Sequence, residues 1–237
     1  MSRALHLVPS ILSANFGCLE RELAAAEAAG ADRFQVDIMD GHFVPNISMG
    51  PMFVAATRAH TGLPIEAHLM VSRPEQWVEA VAQAGADVVI VHAEASRHLH
   101  SLLRQIEAAG ARPAVALNPA SPLALIEEVL DQVALVLLMT VEPGFGGQTF
   151  IEGVCGKIAR LRQRLEAEGR DCDIEVDGGV DAATIGRARA AGANVFVAGS
   201  AVFGHRGGVA AGMAELRGAL REAAHAARGS KQSAERG

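Results

Sequence analysis

Four copies of one short signal constrain this chain more than any other feature in it: Ala29-Gly-Ala-Asp32, Ala84-Gly-Ala-Asp87, Ala109-Gly-Ala-Arg112 and Ala191-Gly-Ala-Asn194. Each follows an Ala-rich stretch of helical spacing and precedes a β-branched or apolar run. Glycine just past a helix end takes the left-handed cap conformation at little steric cost, so each copy predicts a helix turning directly into a strand. The copies start 55, 25 and 82 residues apart. These are close to two, one and three multiples of roughly 27 residues, the length of a strand, a helix and two short connections.

Eight such units fit between Leu5 and about Ala226. Strands are expected near Leu5–Leu12, Arg33–Met39, Pro64–Met70, Asp87–His92, Pro113–Asn118, Val133–Met139, Cys172–Val176 and Asn194–Ala198. They are apolar over most of their length, as strands of a parallel sheet covered by helices should be. Helices are expected at Glu20–Ala29, Pro51–His60, Pro74–Ala84, His98–Ala109, Pro122–Leu130, Ile151–Glu168, Asp181–Ala190 and Gly208–Ala226, with Pro51, Pro74 and Pro122 suited to first turns. Eight alternating units predict an α/β protein with a closed (β/α)8 barrel, and an open doubly wound sheet is the second choice. With 50% hydrophobic residues the chain can bury the core this needs. One domain is expected over residues 1–227, followed by a polar, disordered tail at 228–237.

A formal net charge of -6 and a pI near 5.8 argue against nucleic acid or an anionic membrane surface as a partner. Three cysteines without C-x-x-C spacing fit a reducing compartment, and the expected location is the cytoplasm. No run approaches the ~18 apolar residues of a membrane span, and no leader pattern opens the chain. Oligomeric state is open, with a homo-oligomer among the possibilities.

Chemistry concentrates at the predicted C-terminal ends of the strands, where barrels of this type carry their active sites. Those ends hold Ser10, Gln35 with Asp37, His68 with Met70, His92, Asn118, Met139, Asp177, and Gly199 with Ser200. In the stretch Phe34-Gln-Val-Asp-Ile-Met-Asp-Gly-His-Phe-Val-Pro-Asn46, strand alternation places Gln35 and Asp37 on one face. An ionised Asp inside a domain is costly unless it is paired or holds a metal. Asp37, His68 and Asp177 together suit a divalent ion such as zinc, manganese, iron or cobalt. Three glycine-bearing loops, Glu142-Pro-Gly-Phe-Gly-Gly-Gln148, Asp177-Gly-Gly179 and Ala198-Gly-Ser200, free backbone N–H groups to face an anion. They point to a small phosphorylated ligand.

Pro9-Ser-Ile-Leu-Ser-Ala-Asn-Phe16, Val36-Asp-Ile-Met-Asp-Gly-His-Phe-Val-Pro-Asn46, His68-Leu-Met70, Val91-His-Ala-Glu-Ala-Ser96, Ala116-Leu-Asn-Pro119, Met139-Thr-Val-Glu-Pro-Gly-Phe-Gly-Gly-Gln148 and Val176-Asp-Gly-Gly179 resemble ribulose-phosphate 3-epimerases. The likeness runs in register from about Val8 to Phe203. It implies a TIM barrel with a divalent cation (Zn, Mn, Fe, Co or Mg), acting in pentose phosphate metabolism. Asp37 and Asp177 would be both metal ligands and the catalytic acid/base pair, with His68 a further ligand that also lies against substrate. Ser10 would contact the substrate, and Gly144, Phe145, Gly146, Gly147, Gly178, Gly179, Gly199 and Ser200 would grip its phosphate. The family pattern has a histidine two residues before the first aspartate; here that position is Gln35, the fourth expected metal ligand and a departure that bears on which metal is held.

The resemblance implies epimerisation at C3 of a ketose phosphate, D-ribulose 5-phosphate to D-xylulose 5-phosphate, through an enediolate. Two carboxylates on opposite faces would move the proton. An epimerase of another ketose phosphate, such as D-allulose 6-phosphate, and a non-catalytic phosphosugar-binding protein are the alternatives. A Schiff-base aldolase is disfavoured, because the two lysines, Lys157 and Lys231, fall in a predicted helix and the tail. The Asp-x-Lys-x-x-Asp motif of phosphate-barrel decarboxylases is absent from the sequence.

Overall fold

The computed structural model describes the backbone of residues 3–234 and the side chains of residues 3–224. Its frame is eight strands: β1 (His6–Pro9), β2 (Phe34–Met39), β3 (Ile65–Met70), β4 (Val88–His92), β5 (Arg112–Leu117), β6 (Leu135–Met139), β7 (Asp173–Asp177) and β8 (Val195–Ala198). All pair in parallel in the order β1-β8-β7-β6-β5-β4-β3-β2. The seam between β1 and β2 is spanned by an isolated parallel bridge from Ser10 to Gln35, so the barrel is nearly closed.

Helices between the strands are α1 (Leu19–Ala28), α2 (Pro51–Arg58), α3 (Val78–Gln83), α4 (Leu99–Ala108), α5 (Val154–Ala167), α6 (Ile185–Ala191), a four-residue α7 (Ser200–Phe203) and α8 (Val209–Ala234). The four Ala-Gly-Ala signals do what their chemistry predicts. Gly30, Gly85, Gly110 and Gly192 all have φ between 88° and 117°. The alanine after each glycine donates its N–H back into the last helical turn, from Ala31 to Ala26, Ala86 to Val81, Ala111 to Ile106 and Ala193 to Ala188.

Two sequence expectations need correction. Pro122–Leu130 forms two 3-10 turns, Leu123–Leu125 and Glu127–Val129, instead of a helix. Nine residues allow few i→i−4 bonds, and the short turns already bury Ile126, Val129 and Leu130. Helix α8 continues to Ala234 through a stretch expected to be disordered, in which Arg228, Lys231, Gln232 and Ala234 carry good helix propensity. Residues 235–237 of the expected tail lie outside the described residues.

Strand alternation divides the buried residues into two cores. Phe34, Val36, Ile38, Ile65, Leu69, Val89, Val91 and Phe196 face outward and pack under the helices. Val8, Ile90, Ala114, Ala116, Leu137, Val195 and Val197 fill the barrel interior. The inward positions of β2, β3 and β7 are polar instead: Gln35 and Asp37, Glu66 and His68, Glu175 and Asp177. Low in this column the fully buried Glu66 is paired with Arg33 at 2.8 Å, and Arg33 also reaches Asp173 at 2.9 Å. Burial, then the charge of Glu66, pushes the Glu175 carboxyl well above the usual carboxylate range. Among the described residues, no helix is long and apolar enough to cross a membrane.

Candidate active site

The polar column ends at the C-terminal mouth of the barrel, where register aligns the strand tips. Asp37 on β2 lies beside His68 on β3, and Asp177 on β7 lies beside Met139 and Val197. Parallel pairing with short connections brings these residues, far apart in sequence, into one group. One ligand atom each of Asp37, His68 and Asp177 lies within 4.8 Å of the others, a group able to hold a metal ion.

Gln35 is the centre of this group. Its Nε2 donates to Asp37 Oδ1 and to Asp177 Oδ2, both at 2.8 Å. Its Oε1 is buried and has no partner. Ser10 Oγ donates to Asp37 Oδ2, and His68 Nδ1 lies 2.9 Å from Asp37 Oδ1 and 3.6 Å from Asp177 Oδ2. Burial, and next the charge of Asp37, raise the Asp177 carboxyl to about 7, against the opposing pull of His68 and the Gln35 hydrogen bond. The group is thus short of positive charge, and two carboxylates this close favour a proton or a cation between them.

Behind His68 stands His92, with their Nε2 atoms 2.9 Å apart and the rings within 23° of parallel. Both rings are fully buried, and Phe43 lies against His92 with ring centroids 4.8 Å apart. Burial pushes the His92 imidazole down to about 4, so it is neutral. Glu94 follows, with its Oε2 3.4 Å from His92 Nδ1. Its other oxygen accepts from the Asn118 N–H at 2.8 Å and from the Ser121 hydroxyl. Burial would raise this carboxyl, but the His92 ring and those two donors outweigh it and hold it at about 2.

A cleft with about 560 Å³ of empty space, the open solvent at its mouth included, lies above Asp37 and Asp177. Among its lining residues are Ser10, Gly144, Phe145, Gly146, Gly147, Gly178, Gly179, Gly199 and Ser200, so all three glycine loops meet there. Gln35 and His68 sit beneath it, fully buried. The Asp177-Gly-Gly179 loop needs its glycines: φ is 112° at Gly178 and 63° at Gly179. A Cβ at Gly178 would also fall 2.3 Å from Val141 Cγ2. Thr140 Oγ1 pins the loop by donating to the Gly178 carbonyl at 2.6 Å.

Asn118, a strand-tip candidate, is not among the residues lining the cleft; its backbone serves Glu94. Met39, Met70 and Met139 do line it and supply an apolar wall that had no assigned role. The signal was present, since Met39 and Met70 follow Asp37 and His68 by two residues and so share their inward face. The Glu94–His92 pair was also missed, because its meaning depends on what stands on the next strand.

Residues 6–203 match the family described as "Ribulose-phosphate 3 epimerase family". The chain is 49% identical over 201 residues to the ribulose-phosphate 3-epimerase of Bacillus subtilis (strain 168), covering 84% of this chain and 93% of that protein. It is 53% identical over 198 residues to the chloroplastic ribulose-5-phosphate-3-epimerase of Arabidopsis thaliana, covering 83% and 70%. To the Escherichia coli (strain K12) ribulose-phosphate 3-epimerase it is 44% identical over 198 residues, covering 83% and 88%. Among solved structures it superimposes on 3-hexulose-6-phosphate synthase from Salmonella typhimurium with a TM-score of 0.70 at 16% identity, covering 92% of this chain and all of that one. Orotidine 5'-phosphate decarboxylase from Pyrococcus horikoshii gives 0.67 at 16% identity, covering 91% and 99%. These structural likenesses establish the barrel fold, whereas the sequence matches establish kinship: this chain belongs to the ribulose-phosphate 3 epimerase family and is an isomerase.

Proposed function

We propose that the chain interconverts D-ribulose 5-phosphate and D-xylulose 5-phosphate by moving a proton at C3 between Asp37 and Asp177. The observation that carries this reading is the pair of carboxylates, joined through Gln35, on the floor of a cleft whose rim is built from glycine loops. Epimerisation next to a ketone removes a proton from one face and returns one to the other, through an enediolate. That requires two proton carriers, one of which holds its proton while the other is free. Asp37 accepts from Ser10 and Gln35, while Asp177 is raised to about 7 and is suited to carry the proton. In the reverse reaction the two roles exchange.

The donor set suits a divalent cation, which Asp37, His68 and Asp177 would hold. The unpartnered Oε1 of Gln35 is the oxygen a cation would recruit, reached by turning the terminal amide over. Bound there, the ion would act as a Lewis acid toward negative charge developing on substrate oxygens. Backbone N–H groups of the three glycine loops would take the phosphate, with Ser200 adding a hydroxyl, Ser10 would contact the substrate beside Asp37, and the three methionines would keep water from the reacting carbon.

Incubation with D-ribulose 5-phosphate in deuterated water, with each of several divalent ions, tests this reading. The expected result is D-xylulose 5-phosphate carrying deuterium at C3. Faster turnover of D-allulose 6-phosphate would reassign the substrate. Binding without turnover under any ion would make the chain a phosphosugar-binding protein.

A further inference from the structure

The chain Asp37, His68, His92, Glu94 runs from the cleft floor to the outer loop after β4, and it ends in a carboxylate on both sides. Its contacts are 2.9 Å from Asp37 Oδ1 to His68 Nδ1, 2.9 Å from His68 Nε2 to His92 Nε2, and 3.4 Å from His92 Nδ1 to Glu94 Oε2. We propose that Glu94 and His92 are positioning residues that hold His68 in the tautomer whose Nδ1 lone pair faces the two aspartates, where a cation can take it. This rests on the metal reading of the site given above.

Two imidazole nitrogens 2.9 Å apart share one hydrogen, so two neutral rings can order their protons in two senses. In the inward sense His92 Nε2–H donates to His68 Nε2, and His68 Nδ1–H donates to Asp37. His92 Nδ1 is then a lone pair aimed at the Glu94 carboxylate. In the outward sense His68 Nε2–H donates to His92, and His92 Nδ1–H donates to Glu94. His68 Nδ1 then offers a lone pair beside Asp37, which is unfavourable until a cation lies between them. The two terminal carboxylates therefore compete for the same pair of protons. A cation neutralises the Asp37 end and lets Glu94 win.

Glu94 is built for this part. Its Oε1 is fixed by the Asn118 N–H and the Ser121 hydroxyl, so Oε2 stays directed at His92. The nearly coplanar rings keep the central hydrogen bond in plane, and Phe43 packs on His92. Partners of a metal-binding histidine that set its tautomer change cation affinity by about ten- to a hundred-fold when removed.

The test uses full-length protein, zinc titration calorimetry and 15N spectra of histidine-labelled samples. In the parent, zinc should move the His92 proton from Nε2 to Nδ1 and leave His68 protonated at Nε2. Glu94→Ala should weaken zinc binding by about ten- to a hundred-fold. Glu94→Gln is close to isosteric and preserves the fold. Its amide oxygen can keep Asn118 and Ser121, which turns its NH2 toward His92 Nδ1 and stabilises the inward sense. It should therefore weaken zinc at least as much as Glu94→Ala, and zinc should no longer move the His92 proton from Nε2 to Nδ1. A merely structural Glu94 would leave that zinc-induced move as it is in the parent. Parent-like zinc affinity and an unchanged tautomer in both variants would overturn the proposal while leaving the metal reading intact. A parent that bound no divalent ion would overturn both.

Discussion

Ser10 and Gln35 pair across the seam where β1 meets β2, and both side chains then donate to the same carboxylate, Asp37. The last bridge that closes the barrel is therefore also the floor of the cleft. Shape and chemistry are coupled at this point: a shift of one strand against the other would separate the donors from Asp37.

Gln35 sets the first prediction. A carboxamide oxygen is a harder donor than an imidazole nitrogen and suits manganese or magnesium relatively better than zinc. Gln35→His should retain more zinc after exhaustive dialysis than the parent, and the parent should show the higher ratio of manganese- to zinc-supported rate. If Gln35→Ala held metal as tightly as the parent, the amide would not be a ligand.

Removing either proton carrier should stop the reaction. Asp37→Asn and Asp177→Asn keep shape and lose a carboxylate, and each should lower kcat by at least about a hundred- to ten-thousand-fold. One of the two can still exchange substrate hydrogen with solvent, because it retains the carrier on one face. Near-normal turnover by either variant with saturating metal is the result that would reject the two-aspartate mechanism.

The rim of the cleft predicts selectivity for a dianion. Ser200→Asp places a carboxylate where three glycine loops converge, and it should raise KM for the phosphorylated sugar by more than about tenfold with a smaller change in kcat. Comparable rates of the parent on phosphorylated and unphosphorylated ketose would show that no phosphate grip exists.

Arg33 should matter for stability through Glu66. Arg33→Met leaves a fully buried carboxylate without its cation, which costs on the order of 3 kcal/mol. Urea unfolding should show that loss, and a second change, Glu66→Leu, should restore part of it. Additive losses in the double variant would mean the two residues act independently.

Asp40 predicts an acid-sensitive loop. Burial alone would raise its carboxyl, but it accepts the His42, Phe43 and Ser72 N–H groups and the Ser72 hydroxyl, which hold it well below the usual range. A depressed folded-state pKa contributes stability that is present above the unfolded value of about 3.9 and is lost as pH falls toward the folded value. Amide exchange at His42, Phe43 and Ser72 should therefore quicken, relative to the intrinsic rate, as pH drops from 5 to 3. Asp40→Asn should show little of this pH dependence.

The order of elements was written in the sequence because its causes are local. A glycine after an Ala-rich helix caps it whatever surrounds it, and all four such glycines adopt the left-handed conformation. Alternation on β2 put Gln35 and Asp37 on one face, and long motifs carried the family and the glycine loops of the cleft. The segment after Pro122 was misread because propensity over nine residues is weak beside the packing of Ile126 and Val129 against the barrel. Tertiary structure alone decided what depends on distance between strands: that Gln35 turns its nitrogen to both aspartates, that Glu66 meets Arg33, and that His68 stands against His92 and through it Glu94. Spacing along a chain carries the period of a strand, but parallel register and barrel closure fix which side chain meets which, and the electrostatics of the site arise only from those meetings.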